Sequence, residues 1–473
     1  MLVIGVNSGT SVDSIDVAIC QVSDDDEHEN TTQISEHIMP IPRMKLMAFG
    51  SVPWEPHLRQ RIFDLMTSQH LSSKDFCEMN VLIGDAFKSA IENVLLENTI
   101  DPKTIQVVGS HGQTIYHQVE SNQQLAASQV KSTTHAATTH SEMTFQREVS
   151  SPLIKSTLQL GDPSRIARLG IPVISNFRTN DVALGGEGAP LTSIFDFLLL
   201  RHSTKWRAIQ NIGGIGNVTF VPPLTINDKD ASSLVVSFDT GPGNALIDDC
   251  VRLVTNGQLQ MDVDGKMASA GVRNESLFES LCEFYRPYFE MPYPKTTGRE
   301  LFGKEQVQQW IEKATAHWKQ MHHDQQSNDI NQHHYGNMIH ESSVSEEEFF
   351  SNSLVTTFTD LTAYSITRAY SLVVSKLNLT HMIYDLEVVV SGGGQHNPYL
   401  MKRLYEMLSQ EFGRTIHILS HEQLERQALN SNAKEAMLFA LLAYLHERGR
   451  VANIPSVTGA LRACLLGSKT PAL

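Results

Sequence analysis

Apolar and polar positions change their period several times along the chain, and each change marks an element. Residues 2–6 form a short apolar run that meets polar Asn7 and Ser8, which predicts a strand entering a turn. Residues 16–22, rich in β-branched side chains, predict the strand that leaves it. From about 55 to 96 apolar residues recur at three- and four-residue spacings, as at Ile62, Leu65 and Met66, and predict helix. Residues 105–108 read as a buried strand that ends at Ser110-His111-Gly112-Gln113-Thr114. From 118 to 157 the periodicity is lost and Ser, Thr, Gln and His take over, so this stretch reads as a polar surface insertion with little core content.

Strand text returns at 171–175, 208–212, 218–221, 234–238 and 387–390, with helical text over 352–377. A second polar insertion covers 317–348; its six histidines are irregularly spaced among Gln, Asn and Asp, which favours a solvated loop over a metal site. Strands that meet glycine turns, with helices between them, predict an α/β protein of two similar lobes. A cut at 1–205 and 206–473 is expected, with the final helix free to pack back on the first lobe.

Composition narrows the classes. In 473 residues, 41% hydrophobic and 19% charged positions are those of an ordinary globular protein, and no apolar run is long enough to cross a bilayer. A net charge of −15 argues against a nucleic-acid partner or an anionic membrane surface. It leaves phosphate binding open, because backbone amides and a metal ion hold phosphate without a basic surface. Five scattered cysteines without a CxxC pair read as reduced structural thiols. The start of the chain lacks the basic residues and long apolar core of a secretory signal, so a cytoplasmic location is expected.

Four glycine turns follow strand-like runs: residues 8–13, 211–214, 239–244 and 391–394. Each mixes Gly with Ser, Thr, Asp or Asn, so successive amides and side-chain donors can converge on an anion. One such turn is ordinary hairpin chemistry; four together favour a nucleotide-phosphate site. The common alternatives fail. Gly298 to Lys304 spells the first part of a Walker A loop, but Glu305 stands where a metal-binding hydroxyl is needed. No GxGxxG opens a helix after the first strand, and the kinase HRD and DFG and the hydrolase GxSxG are absent.

Gly9-Thr10-Ser11-Val12-Asp13-Ser14-Ile15-Asp16 resembles the first signature of the anhydro-N-acetylmuramic acid kinases, in the sugar kinase–Hsp70–actin superfamily. The resemblance continues in order through His111-Gly112-Gln113-Thr114, Leu160-Gly161-Asp162-Pro163, Phe177-Arg178-Thr179-Asn180-Asp181 and Gly185-Gly186-Glu187-Gly188. Asn211-Ile212-Gly213-Gly214, Asp239-Thr240-Gly241-Pro242-Gly243-Asn244, Pro294 to Glu300, Gly392-Gly393-Gly394, Lys434-Glu435-Ala436 and Pro455 to Ala460 complete it. Parts of the wording are also similar to the fungal levoglucosan kinases, a close branch.

The resemblance implies an actin-like (ribonuclease H-like) two-lobed fold with ATP bound between the lobes. It implies a kinase that hydrolyses the 1,6-anhydro ring of 1,6-anhydro-N-acetylmuramic acid and phosphorylates O6. Levoglucosan is the alternative substrate of the same class. A non-catalytic ATP- or sugar-binding regulator is the rival of a different class. Asp181 matches the catalytic base, against a bland role capping its turn. Glu435 matches a second carboxylate holding Mg²⁺ directly or through water, against a solvated surface Glu. ATP contacts are implied for Gly9, Thr10, Ser11, Asp13, Asp16, Gly213, Gly214, Asp239, Gly241, Gly243, Asn244, Gly392, Gly393 and Gly394. Sugar contacts are implied for His111, Gln113 and Arg178. His111 reads equally as a hydrogen-bonded structural residue, and Arg178 either grips substrate or pairs with Asp181. The family leaves the oligomeric state open, a homodimer included. Ser14 and Glu187 depart from its usual Gly and Gln; Glu187 adds negative charge near Asp181, and the sequence leaves open whether this raises the pKa of Asp181, disfavours an anionic substrate or does neither.

Overall fold

Two sheets with the same strand order organise the chain. The computed structural model describes residues 1–24, 41–67, 71–118, 154–327, 345–377, 386–424 and 430–473. Its strands are β1 (Leu2–Ser8), β2 (Ser14–Asp24), β3 (Pro42–Pro53), β4 (Val107–Gln118), β5 (Ser156–Leu160) and β6 (Val173–Ser175). Then follow β7 (Trp206–Ile212), β8 (Ile215–Val221), β9 (Val236–Pro242), β10 (Leu386–Ser391), β11 (His417–Ser420) and β12 (Ser468–Thr470). The first sheet runs β12-β6-β4-β1-β2-β3, with β5 on β4; the second runs β11-β10-β7-β8-β9. Thus β3-β2-β1-β4-β6 and β9-β8-β7-β10-β11 are the same arrangement used twice, the ribonuclease H-like order expected from the sequence. The α/β class and the likeness of the two halves are both as read.

The first unit comprises Met1–Lys205, Val221–Ser237 and His421–Leu473. Its centre is β1, parallel to β4 and antiparallel to β2. Residues 3–8 of β1 are buried without alternation, because both faces of the strand are covered. Ile4 and Val6 pack with Ile83, Phe87, Ile91 and Val94 of helix Ser73–Glu97, whose start is closed by a capping box between Ser72 and Asp75. The other face meets helix Lys434–Glu447. A Cβ on Gly5 would stand 1.8 Å from the Ala436 carbonyl oxygen, and one on Gly109 of β4 would stand 2.0 Å from that of Phe439. Glycine at both positions lets helix backbone lie directly on strand backbone.

The second unit comprises Trp206–Phe220 and Phe238–Ser420. β7 is parallel to β10, and β10 to β11. Helix Glu346–Lys376 is buried on most of its surface despite its polar residues. Thr356, Thr357, Thr359 and Thr367 turn their hydroxyls back onto carbonyls four residues earlier. Asp360 is paired with Arg403 and Arg273. The polar groups are satisfied locally, so the helix can be enclosed.

Several boundaries differ from the sequence reading. The cut at 205/206 leaves residues 221–237 out of the first unit; residues 421–473 also group there, with helix Lys434–Glu447 on its sheet, a return for which the sequence reading left room. The helical stretch 55–96 is two helices, Pro56–Thr67 and Ser73–Glu97. β4 does not end at Ser110 but runs on to Gln118 and pairs with β5, so the edges of the 118–157 insertion belong to the sheet. Likewise residues 317–327 continue helix Lys304–Ser327, and 346–348 open helix Glu346–Lys376. Apart from residues 154, 155 and 345, the rest of both insertions lies outside the described residues. All five cysteines are free, as read. Among the described residues no helix is long and apolar enough to cross a membrane.

Candidate active site

Asp181 lies in the short helix Thr179–Ala183, and its residue is fully buried. A buried carboxylate needs donors, and it has three. Oδ1 accepts from Asn453 Nδ2 at 2.6 Å and from the Thr458 hydroxyl at 2.7 Å. Oδ2 accepts from the Gly188 amide at 2.8 Å. The Asn453 amide is oriented because its Oδ1 accepts from the Cys464 N–H at 2.7 Å. Gly186 closes the site from below: a Cβ there would lie 2.1 Å from Oδ2. A carboxylate offers about four lone-pair directions. Three are used here, and the remaining one is on Oδ2.

Arg178 does not bond to Asp181. Its Nη1 donates to the Gly188 carbonyl at 2.7 Å and its Nε to His111 Nε2 at 3.1 Å. Burial lowers the guanidinium to about 10, while Glu435 and Asp181 pull it up. It stays charged at neutral pH. Burial, reinforced by Arg178, holds His111 well below the usual imidazole range. A neutral ring that accepts at Nε2 carries its proton on Nδ1. His111 also stacks on Phe439 of helix Lys434–Glu447, ring centroids 4.5 Å apart. His111 therefore sits in the site as a fixed neutral support of Arg178.

The charge of Glu187, near Asp181 in sequence, is met by a cation in the fold. Its Oε1 is 2.7 Å from Lys155 Nζ, and both side chains are largely buried. Lys155 comes from the stretch read as a passive insertion.

Glu435 is exposed at the first turn of helix Lys434–Glu447. Its Oε2 accepts from Asn7 Nδ2 of β1 at 2.7 Å. The turn between β1 and β2 carries Gly9 and the exposed Thr10, Ser11 and Asp13. Buried Gln113 donates from Nε2 to the Gly9 carbonyl at 3.3 Å. Arg59 braces the turn, donating to the Val12 carbonyl at 2.7 Å and pairing with Asp13 at 3.2 Å. Val12 needs the brace, since a buried β-branched residue at φ 52° is strained. Ser14, the other departure from the family wording, donates to Asp16 Oδ1 at 3.0 Å, and the Ser51 hydroxyl donates to the same oxygen at 2.6 Å.

In the second unit the glycine turns converge. Gly243 and Asn244 donate their amides to the Gly214 and Gly213 carbonyls at 3.0 and 2.7 Å. Gly392 and Gly394 pack on Asn211 and Ile212, and Gly393 faces the Asn244 amide. Asn244 opens helix Ala245–Val254. Gly241, at φ 135°, packs on Phe289 and Ser365 instead. Asp239 is turned elsewhere too: its carboxylate accepts from the Thr297 N–H at 2.9 Å, and burial raises its pKa to about 7.

Among the described residues no three His, Cys, Asp or Glu side chains gather as a metal cage. Mg²⁺ needs none, since it is usually held by one or two carboxylates, water and substrate phosphates. The exposed Glu435 fits that donor set.

No motif in the sequence marks Asn453, Lys155, Arg59 or Asn7 as site residues, and Thr458 lies inside the Pro455 to Ala460 stretch without a role of its own. Asn453, two residues before the Pro455 motif, had the nearest thing to a signal.

The family model described as anhydro-N-acetylmuramic acid kinase matches residues 1–145 and 122–472. The chain is 34% identical over 468 residues to an anhydro-N-acetylmuramic acid kinase of Caldanaerobacter subterraneus, covering 98% of this chain and 96% of that one. It is 33% identical over 468 residues to the protein of that name in Microcystis aeruginosa, covering 99% of each. With the Bacillus cereus protein it shares 32% identity over 472 residues, again 99% of each.

Proposed function

The chain belongs to the anhydro-N-acetylmuramic acid kinase family, and from that premise we propose that it is an ATP-dependent phosphotransferase acting on 1,6-anhydro-N-acetylmuramic acid. Water adds to C1, the C1–O6 bridge breaks, and O6 takes the γ-phosphoryl group of ATP. The products are N-acetylmuramic acid 6-phosphate and ADP.

The observation that carries this reading is Asp181. Its carboxylate is held from two sides by Asn453, Thr458 and the Gly188 amide, with one lone pair on Oδ2 unused. In the proposed step that lone pair takes the proton of the attacking water, as a general base must. Arg178 stays charged at neutral pH, with Glu435 and Asp181 pulling against the effect of its burial. His111 and the Gly188 carbonyl fix where that charge sits. The exposed hydroxyls of Thr10 and Ser11 offer donors in the Gly9 turn for phosphate oxygens, and buried Gln113 holds the turn by donating to the Gly9 carbonyl. The glycine turns around Gly213, Gly243 and Gly393 are read as the nucleotide-binding loops of the second unit. Glu435 is read as the carboxylate for Mg²⁺, which when bound offsets charge on the transferring phosphoryl group.

The test is Asp181→Asn, assayed for ADP release with ATP and the anhydro sugar, and separately for nucleotide binding. Asn keeps the shape but cannot take the proton. Turnover should fall about 10²–10⁴-fold with ATP binding retained. Turnover within a few-fold of wild type removes Asp181 from the mechanism. Levoglucosan assayed in parallel reports whether the N-acetyl and lactyl groups are required.

A further inference from the structure

We propose that Lys155 is a positioning residue for Asp181, acting through the glycine loop 185–188; this rests on the reading of Asp181 as proton acceptor. The loop is pliant by composition. Gly185 and Gly188 have φ of 83° and 67°, and nothing lies within 4 Å of where a Gly185 side chain would begin. Yet this loop supplies the amide that holds Asp181 Oδ2. It must be fixed from outside, and the ties run residue by residue. Lys155 Nζ donates to the Gly185 carbonyl at 2.9 Å and is ion-paired with Glu187 Oε1 at 2.7 Å. The Glu187 N–H donates to the Thr458 carbonyl at 2.7 Å, and Thr458 itself donates its hydroxyl to Asp181 Oδ1. The Gly188 carbonyl accepts from Arg178 at 2.7 Å.

One ammonium thus grips the loop at two points, immediately before the amide that binds the base. Side-chain exposures of 23% for Lys155 and 17% for Glu187 make the pair stiffer than a solvated surface bridge. The same contact cancels the charge of Glu187, so a carboxylate close in sequence to Asp181 neither repels it nor penalises an anionic sugar. When Lys155 is removed, the loop loses both anchors, the Gly188 amide drifts, and the base is presented less accurately to the water. Small misplacements of reacting groups cost large factors in rate.

The experiment compares Lys155→Met, Lys155→Arg and Glu187→Gln in the full chain, assayed for ADP release with saturating anhydro sugar. Lys155→Met should lower kcat about 10–100-fold, with KM for ATP unchanged. Lys155→Arg should recover most of kcat, because a guanidinium can bond both oxygens. Glu187→Gln, which loses the ion pair but keeps an acceptor for Lys155, should lower kcat less than Lys155→Met does, and a loss larger than that of Lys155→Met overturns the proposal. Added to Asp181→Asn, Lys155→Met should cost nothing further, since both act through one carboxylate. A Lys155→Met enzyme with wild-type kcat overturns the proposal, as does a loss that Lys155→Arg leaves uncorrected or that adds in full to Asp181→Asn. If Asp181→Asn alone leaves turnover intact, the reading of the base fails instead.

Discussion

The Thr458 hydroxyl donates to Asp181 Oδ1 at 2.7 Å across 277 residues of chain. Thr458 ends the helical turn Pro455–Thr458, and its own carbonyl receives the Glu187 N–H. One residue therefore touches both the carboxylate and the loop that flanks it. Thr458→Val should lower kcat about tenfold and stability by about 1–3 kcal/mol, the cost of a buried acceptor losing a donor. Thr458→Ser should recover both. Steady-state kinetics beside denaturant melts check this; equal behaviour of Val and Ser would remove the hydroxyl from the account.

Gly186→Ala should be more damaging than its size suggests. The new methyl would stand 2.1 Å from Asp181 Oδ2, far inside contact distance, and 3.0 Å from Ala460 Cβ. Either the carboxylate swings away or the loop moves. A loss of kcat about as large as that of Asp181→Asn is expected, about 10²-fold or more, with nucleotide affinity unchanged by titration. An active Gly186→Ala enzyme would show that Oδ2 tolerates displacement.

Glu435→Gln should raise the Mg²⁺ concentration for half-maximal activity about tenfold, about 1.4 kcal/mol of binding, because a charged ligand becomes a neutral one. The fold should be kept, since Gln can still accept from Asn7. Activity titrated against Mg²⁺ at fixed ATP measures it. An unchanged midpoint would leave Glu435 as a carboxylate that merely orders Asn7.

Asp239 gives the stability a pH dependence of known sign. Burial raises its folded pKa to about 7 from an ordinary 3.8. Between those values the folded protein binds more protons than the unfolded chain, so stability falls as pH rises through this window and levels above it. Asp239→Asn removes the titrating group and should flatten the decline. Denaturant midpoints at pH 5, 6 and 7 for both proteins compare the slopes; parallel curves would mean that Asp239 ionises freely.

Gly5→Ala should destabilise the first unit by about 3 kcal/mol or more, since the methyl would overlap the Ala436 carbonyl and backbone cannot step aside as a side chain can. Glu435 lies one residue before that contact, so activity should fall with stability. A Gly5→Ala protein melting at the wild-type temperature would rule out the tight seating of helix Lys434–Glu447.

The sequence by itself determined the α/β class, the doubling of the sheet and the turns that matter. β1 and β10 are enclosed on both faces, and such strands are mostly apolar, with Glu387 of β10 paired with Arg207, a pattern legible in a few adjacent letters. Glycine turns are legible for the same reason, because their conformation is decided by neighbours in the chain. β3 carries only a weak signal, since Met44 and Leu46 alternate with Arg43 and Lys45 but the exposed Met47 breaks the pattern. Which polar residue serves which carboxylate was decided by tertiary structure alone. Lys155 reaches Gly185 across 30 residues, Asn453 reaches Asp181 across 272, and Asn7 reaches Glu435 across 428. A hydrogen bond between side chains so far apart imposes no period and no composition on the chain between them. It exists because the sheet carries β1 beneath one helix and leaves a pliant loop that needs fastening. Glu187 shows the difference most plainly. Read in sequence it is a negative charge near Asp181, and in the fold it is paired with Lys155, which also holds the Gly185 carbonyl.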